Sequence, residues 1–325
     1  AQLSRGLGDV YKRQGTNGKT STSTILKSIL DAKNEKTIQI GTSGIKPSIE
    51  INPGLTTPDI FDLYEILNYA VNENYKNVIL EVSSHALSQR RIENIFFDIT
   101  AFTNLTHDHL DYHETMDEYF SEKLKLFNLN KDNGSSVVMI DDEYGKRIAE
   151  LNSNVKCISL KNEDADYFCT SYSINSFGLA GTLAWDSETL DFESKLIGLF
   201  NLENLILAAS IAIELNISAQ SIAKGIENCT NIDGRLHLVE NQKNQMIFLD
   251  YAHSPDAYFR TLKALEENFS RPLKVLFGAG GGRDKSKRPK MAEVVEKYSI
   301  ECYLAPDNPR FCLLYTSDAA DDRMR

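Results

Sequence analysis

Cysteine is scarce in this chain of 325 residues: there are 5, Cys157, Cys169, Cys229, Cys302 and Cys312, and no two form a Cys-x-x-Cys pair. Neither a zinc site nor a disulfide framework is indicated, and reduced, mostly buried thiols are expected. Apolar runs long enough for a membrane helix, about 18 residues, are missing, as is a signal peptide's apolar stretch. No membrane contact is therefore expected, and the cytoplasm is the expected compartment. Positive charge is also short. The 35 Lys and Arg face 46 Asp and Glu, a net charge of −11, which argues against a nucleic-acid partner but permits a local basic pocket for an anionic ligand. Repeats and low-complexity runs are absent, which excludes fibres. With 42% hydrophobic and 25% charged residues, the composition is that of an ordinary globular protein long enough for two domains.

The two ends depart from the rest. Residues Ala1 to Gln14 stand where a phosphate loop is preceded by a buried apolar strand, yet they offer only isolated apolar residues among Arg, Lys, Asp and Gly, so no strand is expected there. Phe311 to Arg325 has no assignable periodicity. Both ends resemble translated cloning or adapter sequence, and the chain is read as a fragment, with 1–14 and 311–325 as non-native segments.

Between the ends, short β-rich runs alternate with helical patterns, as a mostly parallel sheet with helices on both faces requires. Strands are expected at Thr37 to Ile40, Val78 to Val82, Ile99 to Phe102, Val137 to Ile140, Met246 to Leu249, Lys274 to Phe277 and Glu301 to Leu304. Helices are expected at Ser21 to Leu30, Ile60 to Asn72, Met116 to Phe127, Leu202 to Leu215 and Asp256 to Asn268. Val155 to Leu196 reads as antiparallel hairpins. An Asn, Asp and Gly cluster near Asn231 to Gly234 marks a domain boundary, giving domains at 15–233 and 234–310.

Gly15-Thr16-Asn17-Gly18-Lys19-Thr20 leads directly into a helix start. Backbone N–H groups there would cradle phosphates, Lys19 would neutralise them, and the Thr20 hydroxyl would bind Mg²⁺. The general phosphate-loop pattern wants glycine five residues before Gly18, where this chain has Arg13, so a plain Gly-Lys-Thr turn stays open as an alternative. Glu81 ends an apolar run, which puts a carboxylate at the carboxyl edge of a parallel strand, where ligands of open α/β sheets bind. A solvated strand-end acid is the alternative. The segment Val82 to Arg91 then gathers hydroxyls, an amide and guanidinium groups suited to an anionic, hydroxyl-rich ligand. Asn104 to His113 holds His107, His109 and His113, without the His-Glu-x-x-His spacing of helical zinc sites. Hard oxygen ligands with one imidazole fit Mg²⁺ or Mn²⁺ better.

These motifs, together with Asp250-Tyr251-Ala252-His253-Ser254-Pro255-Asp256, Gly278 to Pro289 and Asp307-Asn308-Pro309-Arg310, occur in the order seen in the Mur ligases, which the chain resembles from Gly15 to Arg310. The likeness is greatest to the diaminopimelate-adding branch. It implies an α/β fold, in which a central ATP-binding domain carries a phosphate loop and a truncated Rossmann-like domain follows. It also implies an ADP-forming ligase of peptidoglycan synthesis, which adds meso-diaminopimelate to UDP-N-acetylmuramoyl-L-alanyl-D-glutamate through an acyl phosphate, with ATP and two Mg²⁺ ions, as a monomer.

By resemblance, Gly15, Thr16, Asn17, Gly18, Lys19, Thr20, Asn204, Arg235, Asp250 and His253 bind ATP. Thr20, Glu81, His109 and Lys123 serve the metals, with Lys123 as a carbamate; a solvated helix lysine is the alternative for Lys123. Lys19, Glu81, His109 and Lys123 form the catalytic set. Thr56, Thr57, Ser83, Gln89 and Arg91 match positions that bind the UDP-muramoyl dipeptide. Arg283, Asp307, Asn308, Pro309 and Arg310 match the diaminopimelate site, where Arg310 can pair a distal carboxylate bidentately. The family's N-terminal uridine-binding domain and the end of its C-terminal domain have no counterpart in the sequence. An L-lysine-adding or folate-type ligase of the same superfamily, and a nucleotide-binding fragment without turnover, remain as alternatives.

Overall fold

The computed structural model describes residues 10–14, as backbone, and 17–51, 54–106, 112–243, 245–269, 271–279 and 287–305. They fall into two compact units, one drawn from Ala1–Leu105 and Asp117–Asp233, the other from Thr106–Met116 and Gly234–Arg325.

The first unit runs β1 (Val10–Gln14), α1 (Lys19–Ala32), β2 (Thr37–Gly41), β3 (Gly44–Lys46), α2 (Ile60–Asn72), β4 (Asn77–Glu81), α3 (Ser84–Ser88) and β5 (Phe97–Phe102). It continues through α4 (Met116–Leu124), a 3-10 turn (Lys125–Leu129), β6 (Asn130–Met139), α5 (Glu143–Leu151) and β7 (Val155–Ser159). Three strands follow, β8 (Tyr167–Asn175), β9 (Gly178–Trp185) and β10 (Glu188–Ser194), then α6 (Leu199–Glu214) and α7 (Ala219–Asn228). The strands form one sheet in the order β10-β9-β8-β7-β6-β5-β1-β4-β2-β3. Neighbours from β2 to β8 pair in parallel, whereas β3, β9 and β10 pair antiparallel.

Sequence chemistry explains the main elements. Asp59 caps α2 by accepting from the N–H groups of Phe61 and Asp62, and Leu63, Ile66, Leu67 and Ala70 then recur at helical spacing on its buried side. Strand β4 is buried at every residue, as a parallel strand covered on both faces should be. On one face Ile79, Ile99, Ala101, Val137, Met139 and Ile158 join a single core with α1, α6 and α7. Helix α6 is apolar nearly all round because it lies inside that core. The alternate residues Val78, Leu80, Phe102 and Val138 are buried too, so the opposite face is also covered.

Two expectations are corrected. No strand was expected before Gly15, yet β1 lies mid-sheet, with Tyr11 opposite Ile79 on one side and Ile99 on the other. Five extended residues satisfy the ladders of both neighbours through the backbone, which a reading of side-chain polarity does not register. The hairpin reading of Val155 to Leu196 holds for β8–β10, which turn tightly at Asp186 with φ 46°. It fails for β7, which is parallel to β6 and β8. Among the described cysteines, Cys169 and Cys229 are buried, while Cys157 and Cys302 are half-buried. No described helix is long and apolar enough to cross a membrane.

The second unit holds a hairpin, β11 (His237–Val239) with β12 (Ile247–Leu249), then α8 (Pro255–Asn268), β13 (Leu273–Phe277), α9 (Lys287–Tyr298) and β14 (Ser299–Leu304). Strands β13 and β14 are parallel and joined through α9, the crossover unit of Rossmann-like domains. Leu262, Phe277 and Val295 form its core.

Helices α1 and α7 meet at Gly225, whose carbonyl accepts from the Ser28 hydroxyl at 2.7 Å. A methyl group there would lie 2.3 Å from the Ile29 Cα, so Gly225→Ala must push two core helices apart. We expect a loss of about 1 to 3 kcal/mol of stability, read as a lower urea midpoint. An unchanged midpoint would show that the contact is not as close as described.

Candidate active site

The order of the central strands reverses at β1: the chain places β4 and β2 on one side of it and β5 on the other. Ligands of open α/β sheets bind at the carboxyl ends of strands at such a switch point. Of the residues singled out by sequence, Asn17, Gly18, Lys19, Thr20 and Glu81 lie there. Asn17 is pinned to the end of β5, donating its N–H to the Asn104 side-chain oxygen at 3.0 Å. Its carbonyl accepts from the Asn104 amide at 3.1 Å and the Thr103 hydroxyl at 2.7 Å. Gly18 follows in the left-handed region with φ 89° at the cap position of α1, where no side chain caps the helix. Any Cβ there would sit 2.2 Å from Asn204 Oδ1, so both conformation and space require glycine. Asn204, on α6, accepts from the Thr22 hydroxyl at 3.0 Å and so supports the loop from beneath. Lys19 is half-buried at the first turn.

Glu81 is fully buried at the end of β4. This rejects the solvated-acid alternative. Its Oε2 accepts from the hydroxyls of Thr20 at 2.9 Å and Thr42 at 3.1 Å, and its Oε1 from Ser23 at 3.2 Å. The end of β2 makes room, since a Cβ on Gly41 would lie 2.1 Å from Oε1. One carboxylate among hydroxyls is a hard-oxygen donor set that suits Mg²⁺ or Mn²⁺. No three His, Cys, Asp or Glu side chains converge among the described residues.

The residues matched to the dipeptide substrate join the same network. Thr42 and Thr56 hydroxyls are 3.2 Å apart, and the Thr57 hydroxyl donates to the Glu81 carbonyl at 3.0 Å while accepting from the Ser83 N–H at 3.1 Å. Ser83 caps α3 through the Ala86 N–H. Arg91 donates to the Thr57 carbonyl at 2.9 Å and, through Nε, to the Gln89 side-chain oxygen at 2.9 Å. Helix α4 carries Lys123, 1% exposed, with Nζ 4.8 Å from the Tyr119 ring centroid. A solvent-facing helix lysine is therefore rejected.

In the second unit, Asp250 accepts from the N–H groups of Leu236 at 2.7 Å and Ala252 at 2.8 Å, and from the Thr261 hydroxyl at 3.3 Å. Burial pushes its carboxyl above the usual aspartate range, against the opposing pull of the Leu236 N–H, the Arg235 charge, the Ala252 N–H and the Thr261 hydroxyl. Arg235 stacks on the Tyr251 ring at 4.9 Å, and His253 Nδ1 lies 2.9 Å from the Tyr251 carbonyl. Gly15, Thr16, His109, Arg283, Asp307, Asn308, Pro309 and Arg310 lie outside the described residues.

Sequence reasoning missed Thr42, Ser23 and Gln39. Thr42 had a usable signal, a hydroxyl one residue past a parallel strand. The other two had none, because only the fold brings Ser23 to Glu81 and Gln39 to Ser23.

Gly41→Ala should crowd the buried Glu81 carboxylate and cost about 1 to 3 kcal/mol of stability, read as a lower urea midpoint; an unchanged midpoint would contradict the crowding. For Asp250, the folded state holds the proton more tightly than the unfolded chain. Its contribution to stability is therefore full below the ordinary value of 3.8 and is lost as pH rises from there through the raised folded value. Urea midpoints across that window should fall with pH, and Asp250→Asn should flatten the slope.

Residues 14–212 match the family model described as Mur ligase middle domain, and residues 234–313 match that described as Mur ligase, glutamate ligase domain. The chain is 39% identical over 298 residues to the UDP-N-acetylmuramoyl-L-alanyl-D-glutamate--2,6-diaminopimelate ligase of Caldanaerobacter subterraneus subsp. tengcongensis, covering 91% of this chain and 61% of that protein. It is 36% identical over 303 residues to the ligase of the same name from Geobacter sulfurreducens, covering 91% and 60%. A solved structure of a UDP-N-acetylmuramoyl-L-alanyl-D-glutamate--2,6-diaminopimelate ligase superposes with a TM-score of 0.72 at 29% identity, over 93% of this chain and 62% of that one. The chain thus spans about three fifths of the length of the curated relatives it matches. With both of its units matched in order and the phosphate loop, buried strand-end acid and hydroxyl cluster in one place, the chain belongs to the Mur ligase family.

Proposed function

We propose that the whole protein is an ATP-dependent, ADP-forming ligase that joins meso-diaminopimelate to UDP-N-acetylmuramoyl-L-alanyl-D-glutamate in peptidoglycan synthesis. The observation that carries this reading is the continuous hydrogen-bonded network from Thr20 through Glu81 and Thr42 to Thr56, Thr57, Ser83 and Arg91. A phosphate donor and a carboxylate acceptor held at its two ends would be neighbours. Relatives named for this reaction support the choice of substrates.

The chemistry follows from the need to activate a carboxylate. One oxygen of the substrate's glutamate carboxylate attacks the γ-phosphorus of ATP in line, the bond to the bridging oxygen breaks, and ADP leaves. The resulting acyl phosphate is attacked at carbon by the amine of meso-diaminopimelate. Phosphate departs with the carboxylate oxygen, and the amine's proton is released. Lys19 and the N-terminus of α1 would hold the terminal phosphates. Mg²⁺, as two ions, would spread the charge of the transferring group, with Thr20, Glu81, His109 and a carbamylated Lys123 as its protein donors. Addition of CO₂ to the Lys123 amine, with two protons released from the ammonium form, would replace a buried cation by an anionic hard-oxygen donor. Thr57, Ser83 and Arg91 would orient the dipeptide carboxylates, while Arg283 and Arg310 would receive the incoming amino acid, Arg310 by pairing its distal carboxylate.

ADP release by the full-length protein should require both substrates, and equal turnover with L-lysine in place of meso-diaminopimelate would reject the specificity. Lys123→Ala should lower turnover by about a hundredfold or more, with partial recovery on adding short carboxylates. An unimpaired variant would remove the carbamate role.

A further inference from the structure

Gln39 is an anomaly in the core. It sits in the middle of β2, a fully buried strand parallel to β4 and antiparallel to β3, and is 2% exposed between Ile38 and Ile40. Its amide nitrogen donates to the Ser23 hydroxyl oxygen at 2.9 Å and to Thr24 Oγ1 at 3.3 Å, while its amide oxygen is buried with no hydrogen-bond partner. A purely structural role would be met better by an apolar side chain of the same size, since an orphaned polar atom in the interior is costly.

Ser23 explains what the amide achieves. Its hydroxyl lies 2.9 Å from the Thr20 carbonyl and 3.2 Å from Glu81 Oε1, and it has one proton for two acceptors. The Gln39 N–H occupies one Ser23 lone pair and so fixes the hydroxyl's rotation. Turning the amide over would put an acceptor against Ser23, draw the proton away from Glu81 and bury an unpaired NH₂ instead.

We infer that Gln39, acting through Ser23, is a positioning residue that sets the orientation of the Glu81 carboxylate toward a divalent cation at the phosphate loop. The inference rests on the reading of that loop as a metal–nucleotide site. Thr20 and Thr42 fix Oε2; the Gln39–Ser23 relay fixes Oε1. Without the relay, the carboxylate can rotate about its last bond, and part of the cation's binding is lost.

The test uses the full-length protein, with free Mn²⁺ followed by electron paramagnetic resonance in the presence of a non-hydrolysable ATP analogue and no other substrate. Gln39→Met and Gln39→Val should each weaken Mn²⁺ binding by about tenfold, with melting temperatures showing that the variants are folded. Ser23→Ala should do the same, and the Gln39→Met/Ser23→Ala double variant should be no weaker than either single one, because both act on one proton. Multiplying effects in the double variant, or wild-type affinity in folded Gln39 variants, would overturn the relay. If the wild-type protein itself bound no Mn²⁺ with nucleotide, the reading of the loop would fall, and the relay with it. If Gln39→Met does not fold, Gln39→Val, suited to a strand, and Ser23→Ala, suited to a helix, carry the same comparison.

Discussion

A single buried carboxylate organises the first unit. Placing Glu81 in the interior costs several kcal/mol of lost hydration, and three hydroxyls from two segments answer it: Thr20 and Ser23 on α1, and Thr42 after β2. Hydrogen bonds to a charged group contribute about 1.5 to 3 kcal/mol each, so the three together are of the same order as the penalty. The consequence is geometric as much as energetic. The carboxylate ties the phosphate loop to the ends of two parallel strands, and neither can shift without exposing an unpaired buried oxygen.

The space around that carboxylate is as constrained as its bonds. Gly41 gives it room, and Gly18 gives Asn204 room beneath the loop. From the same strand end, Thr57 reaches the Glu81 backbone and carries Ser83 and Arg91 with it. The Thr20–Glu81 and Thr57–Arg91 ends of the site are thus parts of one hydrogen-bonded structure. Distances between them are set by β2 and β4, which are buried at every residue and resist deformation. This is the kind of rigid frame on which in-line transfer depends, because a misplacement of about 1 Å between reacting atoms can cost about a hundredfold in rate.

Much of this was legible in the sequence where local chemistry and periodicity agree. Asp59 and the Leu63, Ile66, Leu67, Ala70 spacing define α2 over the span expected, and the apolar run ending in Glu81 defines β4 and the position of its acid. Helix α5 was not foreseen, although Asp142 caps it, because its few apolar residues are spread thinly through charged ones. Strand β1 escaped for a different reason: its place is held by backbone pairing on both sides, which residue polarity does not report. The roles of Ser23 and Gln39 depend on contacts across 58 and 16 residues of sequence and had no local signature. Lys123 shows the converse, since resemblance singled it out and its burial on α4 supplied the physical reason to take it seriously.

The central claim is that a carboxylate of the substrate takes the terminal phosphoryl group of ATP at the Thr20–Glu81 end of this network. It is tested most directly by following oxygen. If UDP-N-acetylmuramoyl-L-alanyl-D-glutamate is labelled with ¹⁸O in the reacting carboxylate and turned over by the full-length protein with ATP and meso-diaminopimelate, mass spectrometry of the released phosphate should show one ¹⁸O per phosphate formed from fully labelled substrate. Unlabelled phosphate would contradict the account.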